Sequence, residues 1–213
     1  LLLHRPASCA VPSWCVLALR VQMAVVYVYA GLAKLNADWL LDAQPMRTWL
    51  AHRADWPVVG ALLAAAATAY AVSWGGMLFD LGIVPALLWR RTRAFAVAAL
   101  IAFHVLNGVL WTIDVFPVLA IPATLVLLPP SWPRRFVGGS CDVHVGRPRR
   151  PFVAALVLLD VALQIAIPLR PFVHGGDSSW TEIDHRFAWR MMLRRKEGEL
   201  FVYAVERSTH DVF

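Results

Sequence analysis

A chain of 213 residues that is 59% hydrophobic and only 16% charged is not composed like a soluble domain, in which about 25% of residues are charged. Its mean hydropathy of +0.59 exceeds what a buried core explains, because a soluble fold also needs a polar exterior. The net charge of +6 does not mark a nucleic-acid binder: the basic residues stand at the edges of apolar runs, as positive-inside anchors do, with no nucleic-acid motif beside them.

Residues 1–13 are short and irregular, with Pro6 and Pro12. Residues 14–35 form the first apolar run, interrupted by Arg20, Gln22 and Lys34, and are long enough to span a bilayer as a helix. Residues 36–56 read as a polar connection whose Trp39, Trp49 and Trp56 suit a membrane interface. The alanine-rich run at 58–72, at about 15 residues, is short for a span and is expected to be re-entrant or interfacial, with crossing as the alternative. A break at Gly75-Gly76 then sets off a span over 74–89, with Asp80, Gly82 and Pro85 inside it. Arg90, Arg91 and Arg93 precede spans at 94–111 and 116–128. Residues 129–150 are a Pro- and Arg-rich loop, 151–169 the last span, and 170–213 a polar segment in which 199–205 reads as a strand.

These runs predict an all-α polytopic membrane helical bundle over residues 1–169, followed by a short polar segment, 170–213, with a β-forming stretch. Arg90–Arg93 and the arginines between 134 and 150 belong on the cytoplasmic side, and the two spans between them agree with that. If 58–72 does not cross, residues 36–56 and 170–213 share the other side, and Lys34 sits at the outer end of its helix. Cys9, Cys15 and Cys141 have no C-x-x-C spacing and imply neither a disulfide framework nor a zinc site. The chain opens on Leu1, with no basic leader and cleavage site, and is expected to be a fragment cut at both ends.

Several polar residues inside the runs need an explanation. Lys34 is either a snorkelling anchor that reaches the headgroups or a functional amine. Desolvation disfavours an ammonium ion, so a lysine held in apolar surroundings can serve as a base. Ala30, Gly31 and Ala33 beside it let another helix approach closely. His104 and Asn107, three residues apart, share a helix face and read either as interhelical hydrogen-bonding groups or as ligand contacts. Asp80 and Asp160 also lie within apolar runs and read either as structural partners of Arg20 or Lys34 or as groups that take part in chemistry. After the last span, His185, Arg186 and Arg190 lie in a tryptophan-rich stretch. It is either an interfacial linker or a site for a carboxylate or CO2-derived anion, which the planar arginine fork suits. There is no Gly-rich phosphate loop and no nucleophile elbow.

Four stretches carry a resemblance: Tyr29-Ala-Gly-Leu-Ala-Lys34-Leu-Asn-Ala-Asp38-Trp39, Gly75-Gly-Met-Leu-Phe-Asp80, Phe103-His104-x-x-Asn107, and Trp180-Thr-Glu182 through His185-Arg-Phe-Ala-Trp-Arg-Met-Met192. In this order they resemble the vitamin K-dependent γ-carboxylase family, whose membrane part is called the HTTM domain. The resemblance implies a carboxylase-like enzyme, a carbon-carbon lyase that couples hydroquinone epoxidation to carboxylation of glutamate. It aligns Lys34 with the family's catalytic base. Reduced vitamin K or a related hydroquinone is the implied cofactor, with O2 and CO2 as co-substrates and no metal. His104, Asn107, His185, Arg186, Trp189 and Arg190 become candidates for binding quinone or substrate. Membrane lipid and a glutamate-containing peptide are the implied partners, with no nucleic acid. Phe187 stands where vertebrate members have tyrosine, which makes the chain more similar to bacterial relatives and implies a multi-pass protein of the bacterial inner membrane. The family pattern also implies further helices before Leu1 and a β-rich domain after Phe213. The alternative is a non-enzymatic quinone- or lipid-binding module or a transporter part, in which the intramembrane Lys, His and Asp form a polar pathway.

Overall fold

Backbone polar groups in a bilayer have no water to bond, so apolar stretches of span length close their hydrogen bonds internally as helices. The computed structural model describes residues 11–111, 113–129, 132, 143–144, 151–174 and 183–190. In chain order it contains α1 (Ser13–Leu32), α2 (Ala37–Leu40), α3 (Met46–Ala51), α4 (Gly60–Ala64), α5 (Ala66–Leu88), α6 (Arg93–Leu110), α7 (Phe116–Thr124, continued by a 3-10 turn over Leu125–Leu127), α8 (Pro151–Ala166) and α9 (Arg170–Val173). Among the described residues four helical stretches are long and apolar enough to cross a membrane: Ser13–Leu32, Ala66–Leu88, Arg93–Leu110 and Pro151–Val173. Phe116–Leu127 is a shorter apolar helix. A two-residue strand, β1 (Val11–Pro12), pairs in parallel with β2 (Val143–His144). The architecture is the expected all-α membrane bundle. The strand read at 199–205 lies outside the described residues.

The structure corrects the expected break. The sequence reading breaks the chain at Gly75-Gly76, whereas α5 runs unbroken from Ala66 to Leu88. Glycine weakens a helix in water because it has more backbone freedom to lose and leaves the backbone open to solvent. In a bilayer no solvent competes for those backbone groups, so the helix persists. Residues 66–72 therefore form the first two turns of a span, and only 58–65 stand apart from it, as a bend and the short helix α4.

Helix ends leave carbonyls without intrahelical partners, and arginines take them up. Arg93 Nε and Nη2 donate to Leu87 O at 3.0 Å and Leu88 O at 2.9 Å, closing α5. Arg53 Nη2 donates to Leu110 O at 3.1 Å, closing α6. Arg20 Nε and Nη2 donate to Val126 O at 3.0 Å and Leu128 O at 2.7 Å, closing α7 and its turn. Arg20 is therefore a carbonyl cap rather than a partner for Asp80 or Asp160, and Asp160 is exposed on α8.

Two apolar clusters mark the two ends of the bundle. One gathers Tyr27, Ile83, Val84, Leu87, Ala96, Leu100, Leu127 and Leu128, next to the Arg90–Arg93 turn. The other gathers Trp39, Ala43, Met46, Leu50, Ala69, Leu110 and Trp111. Along α5 and α6, Asp80 and His104 fall between the residues of the two clusters. Of the buried polar residues described, Lys34, Asp80, His104 and Thr124 form a layer between them, and Ser73 stands beside Trp39 of the second cluster.

Candidate functional site

The first motif folds into a small roof over Lys34. Asn36 caps α2, its Oδ1 accepting from Trp39 N at 2.9 Å, the usual service of an asparagine at this position. That cap turns Trp39 onto α5, where its Nε1 donates to Ser73 O at 2.7 Å and the Ser73 hydroxyl donates back to Trp39 O. Trp74 Nε1 and the Tyr70 hydroxyl bind the next carbonyls, Leu40 O at 3.0 Å and Leu41 O at 2.6 Å. The connection after α1 is thereby fixed to the outer turns of α5 by polar bonds as well as apolar packing.

Beneath this roof Lys34, 7% exposed, meets Asp80, 5% exposed. Nζ stands 2.5 Å from Asp80 Oδ2, donates to Ala30 O at 3.0 Å, and lies 5.3 Å from the centroid of the Trp39 ring. The pair can form because α1 and α5 approach closely at Gly31. A Cβ placed there would meet Leu81 Cδ2 at 2.5 Å and Leu81 N at 3.2 Å. Chemically, the amine and the carboxyl group form a buried pair in apolar surroundings.

A second polar set converges on His104, 3% exposed, on α6. Its Nε2 is 3.0 Å from the Tyr27 hydroxyl of α1. That hydroxyl is 2.8 Å from Thr124 Oγ1 of α7, and Thr124 donates to Ala120 O at 2.7 Å. Four aromatic rings surround the imidazole: Phe103 at 5.4 Å, Phe116 at 6.1 Å, Phe79 at 6.3 Å and Tyr27 at 6.5 Å between centroids. Asn107 does not join this group. Its Oδ1 accepts from Trp111 Nε1 at 2.9 Å, at the end of α6. Phe79 and Asp80 are consecutive on α5, so that helix touches both polar sets.

The C-terminal candidates form a separate group. Arg170 Nη2 donates to Arg186 O at 2.8 Å, which folds 183–190 against α9. The Arg190 guanidinium lies 5.4 Å from the Phe172 ring, Arg186 is exposed, and His185 and Trp189 are half-buried. The Tyr29 hydroxyl donates to Ile165 O at 2.7 Å, which ties the Lys34 half of α1 to the end of α8 and puts 183–190 at the same end of the bundle as Lys34. Residues 180–182 and 191–192 of that motif lie outside the described residues. Sequence reasoning missed Tyr27 and Thr124 as members of the polar layer and Ser73 as the partner of Trp39. Tyr27 carried a usable signal: it precedes Lys34 by seven residues, about two helical turns, on the same face.

Comparison with protein families matches residues 2–132 to the HTTM domain and residues 149–213 to the vitamin K-dependent gamma-carboxylase lumenal domain. No solved structure matches the chain. The first match covers all the elements that build the polar layer, α1 to α7, and the second takes up the chain shortly before α8. Together with the four apolar spans, they make this an integral membrane protein of the vitamin K-dependent γ-carboxylase family, built on an HTTM domain.

Proposed function

We propose that the chain belongs to a membrane enzyme that epoxidises a reduced quinone and uses that chemistry to carboxylate glutamate, with Lys34 as the group that takes the quinone's hydroxyl proton. The observation that carries this reading is the burial of the Lys34 amine between two apolar clusters, with Asp80 as its partner. The surroundings suit a hydroquinone on a second count: His104 Nδ1, a buried polar atom with no hydrogen-bond partner, stands among aromatic rings. A hydroquinone held there supplies, together with O2, a base far stronger than any side chain. The chain's own residues do the rest. When the proton shared by the pair sits on Asp80, the Lys34 amine can accept another; the adjacent carboxyl group and the Trp39 face then steady the ammonium. The roof of Trp39, Ser73 and Trp74 limits water at that amine. His185, Arg186, Trp189 and Arg190, at the same end of the bundle, are the candidates for the carboxylate of the acceptor and for CO2, since arginine recognises such anions well. Asn107, engaged with Trp111, serves to hold the end of α6.

The test is epoxide formation from a supplied hydroquinone by the protein in nanodiscs. Lys34→Ala is expected to abolish it, with a small exogenous amine restoring part of it. Lys34→Arg is expected not to rescue, because a guanidinium stays protonated. Epoxide made equally well by wild type and Lys34→Ala would reduce Lys34 to an anchor and end this reading.

A further inference from the structure

We propose that the bundle fixes His104 as a hydrogen-bond acceptor at Nδ1, and that this atom binds the hydroxyl of a membrane-soluble aromatic ligand, so that the site selects the reduced, hydroxyl-bearing form over the oxidised, carbonyl-bearing one. The ligand class rests on the proposed function; the direction of the hydrogen bonds does not.

That direction follows from counting protons along the chain of contacts. A threonine hydroxyl has one proton, and Thr124 spends it on Ala120 O. Toward Tyr27, Thr124 Oγ1 can therefore only accept, so the single phenolic proton of Tyr27 points at Thr124 across their 2.8 Å contact. The Tyr27 oxygen is then left to accept from His104 Nε2 at 3.0 Å. The neutral ring has one N–H, so the proton is on Nε2 and Nδ1 carries a bare lone pair. For a neutral ring, any other assignment sets two lone pairs against each other in a buried place, which costs about as much as leaving a polar group unsatisfied. Nδ1 itself has no hydrogen-bond partner, and buried polar atoms without partners are uncommon enough to need a reason.

The surroundings say what kind of donor is wanted. The side chains around the ring are Phe79, Phe103, Phe116 and Tyr27, which suit a flat aromatic body rather than a charged or highly hydrated one. Phe116 is 53% exposed on the outer surface of the bundle, so the aromatic surround is continuous with the side that faces lipid. A phenolic O–H satisfies a lone pair in such a place, whereas a quinone carbonyl sets a second lone pair against it. A site that hydrogen-bonds one form and leaves a polar group unpaired with the other discriminates strongly.

Two measurements on the wild-type protein in nanodiscs test this. The nitrogen-15 spectrum of labelled histidine, assigned with His104→Leu, is expected to show a neutral ring protonated at Nε2. Binding of 1-naphthol and 1-methoxynaphthalene, read by tryptophan fluorescence, is expected to favour the naphthol by about tenfold, the worth of one buried hydrogen bond. His104→Leu should abolish that preference. Thr124→Val keeps the shape but removes the acceptor for Tyr27. The phenol then donates to Nε2 and the ring proton moves to Nδ1, so the spectrum should change tautomer and the preference for naphthol should disappear. A wild-type ring protonated at Nδ1, or equal binding of the two probes, overturns the proposal, whatever the variants do. The two readings fail separately. Lys34-dependent epoxidation with equal probe binding sinks only the inference about His104. A naphthol preference with epoxidation indifferent to Lys34 sinks only the assignment of Lys34.

Discussion

Taken one at a time, Lys34 reads as an anchor or a base and Asp80 as a stray acid in an apolar helix, but the 2.5 Å contact between them means that neither can be altered alone. Truncating one member of a buried ion pair leaves an uncompensated charge and costs about 3–5 kcal/mol, while replacing both with apolar groups is often neutral. Asp80→Asn is therefore expected to lower the unfolding temperature in detergent clearly, and Lys34→Met combined with Asp80→Leu to restore most of the loss. If catalysis needs the amine, the double variant is stable and makes no epoxide. That outcome separates chemistry from architecture in a way Lys34→Ala cannot. An Asp80→Asn protein that melts like wild type would mean that the pair contributes nothing. Lys34 was legible in the sequence because a long local motif surrounds it. Its partner was not singled out, because Asp80 lies 46 residues away and Arg20 offered an equally good charge on paper. Only packing shows that Arg20 is spent on the carbonyls of Val126 and Leu128.

At the scale of the element, four of the five spans were legible because apolar length is the signal a bilayer imposes, while the run read as a span at 116–128 forms the shorter helix Phe116–Leu127. The expected interruption at Gly75-Gly76 was wrong because it borrowed a rule from water. The small-residue stripe before Lys34 carried better information: at Gly31 α5 comes close, the missing side chain taken up by Leu81. Gly31→Val is expected to push α5 outward and separate Nζ from Asp80, lowering both thermal stability and epoxide yield. Gly75→Ala should do neither, since a Cβ there meets nothing within 4 Å. If Gly31→Val matched wild type in both readouts, the close approach would not hold the pair. His104 and Asn107 show the limit of face arguments. They share a helix face as the spacing requires, yet one binds Tyr27 and the other Trp111, because three residues of rise already separate the polar layer from the end of the helix.

At the scale of the whole molecule, the two apolar clusters give each connection an end. Leu87, Ala96, Leu127 and Leu128 gather at one, so the arginine-rich turn after α5 and the chain leaving α7 lie on the same side. Trp39, Leu50, Leu110 and Trp111 gather at the other, with 183–190 joined to it through Tyr29 and α8. Arginine placement predicts that the first side is cytoplasmic. Cysteines introduced at Thr48 and at Ser178, the latter outside the described residues, are therefore expected to react with an impermeant reagent from the non-cytoplasmic side only. Labelling from opposite sides would refute this topology.

The arginine caps have a consequence for how such a chain is made. The donor that closes α6 is Arg53 and the donor that closes α7 is Arg20, each earlier in the sequence than the carbonyls it serves, while Arg93 follows directly on the helix it closes. A ribosome delivers residues in that same order. Each of these three helix ends therefore meets its donor as it emerges or within a few residues, so that α5, α6 and α7 do not wait for a distant part of the chain. Moving Arg53 or Arg20 to a later position would keep every bond of the final structure in principle, but would leave carbonyls exposed in lipid during synthesis.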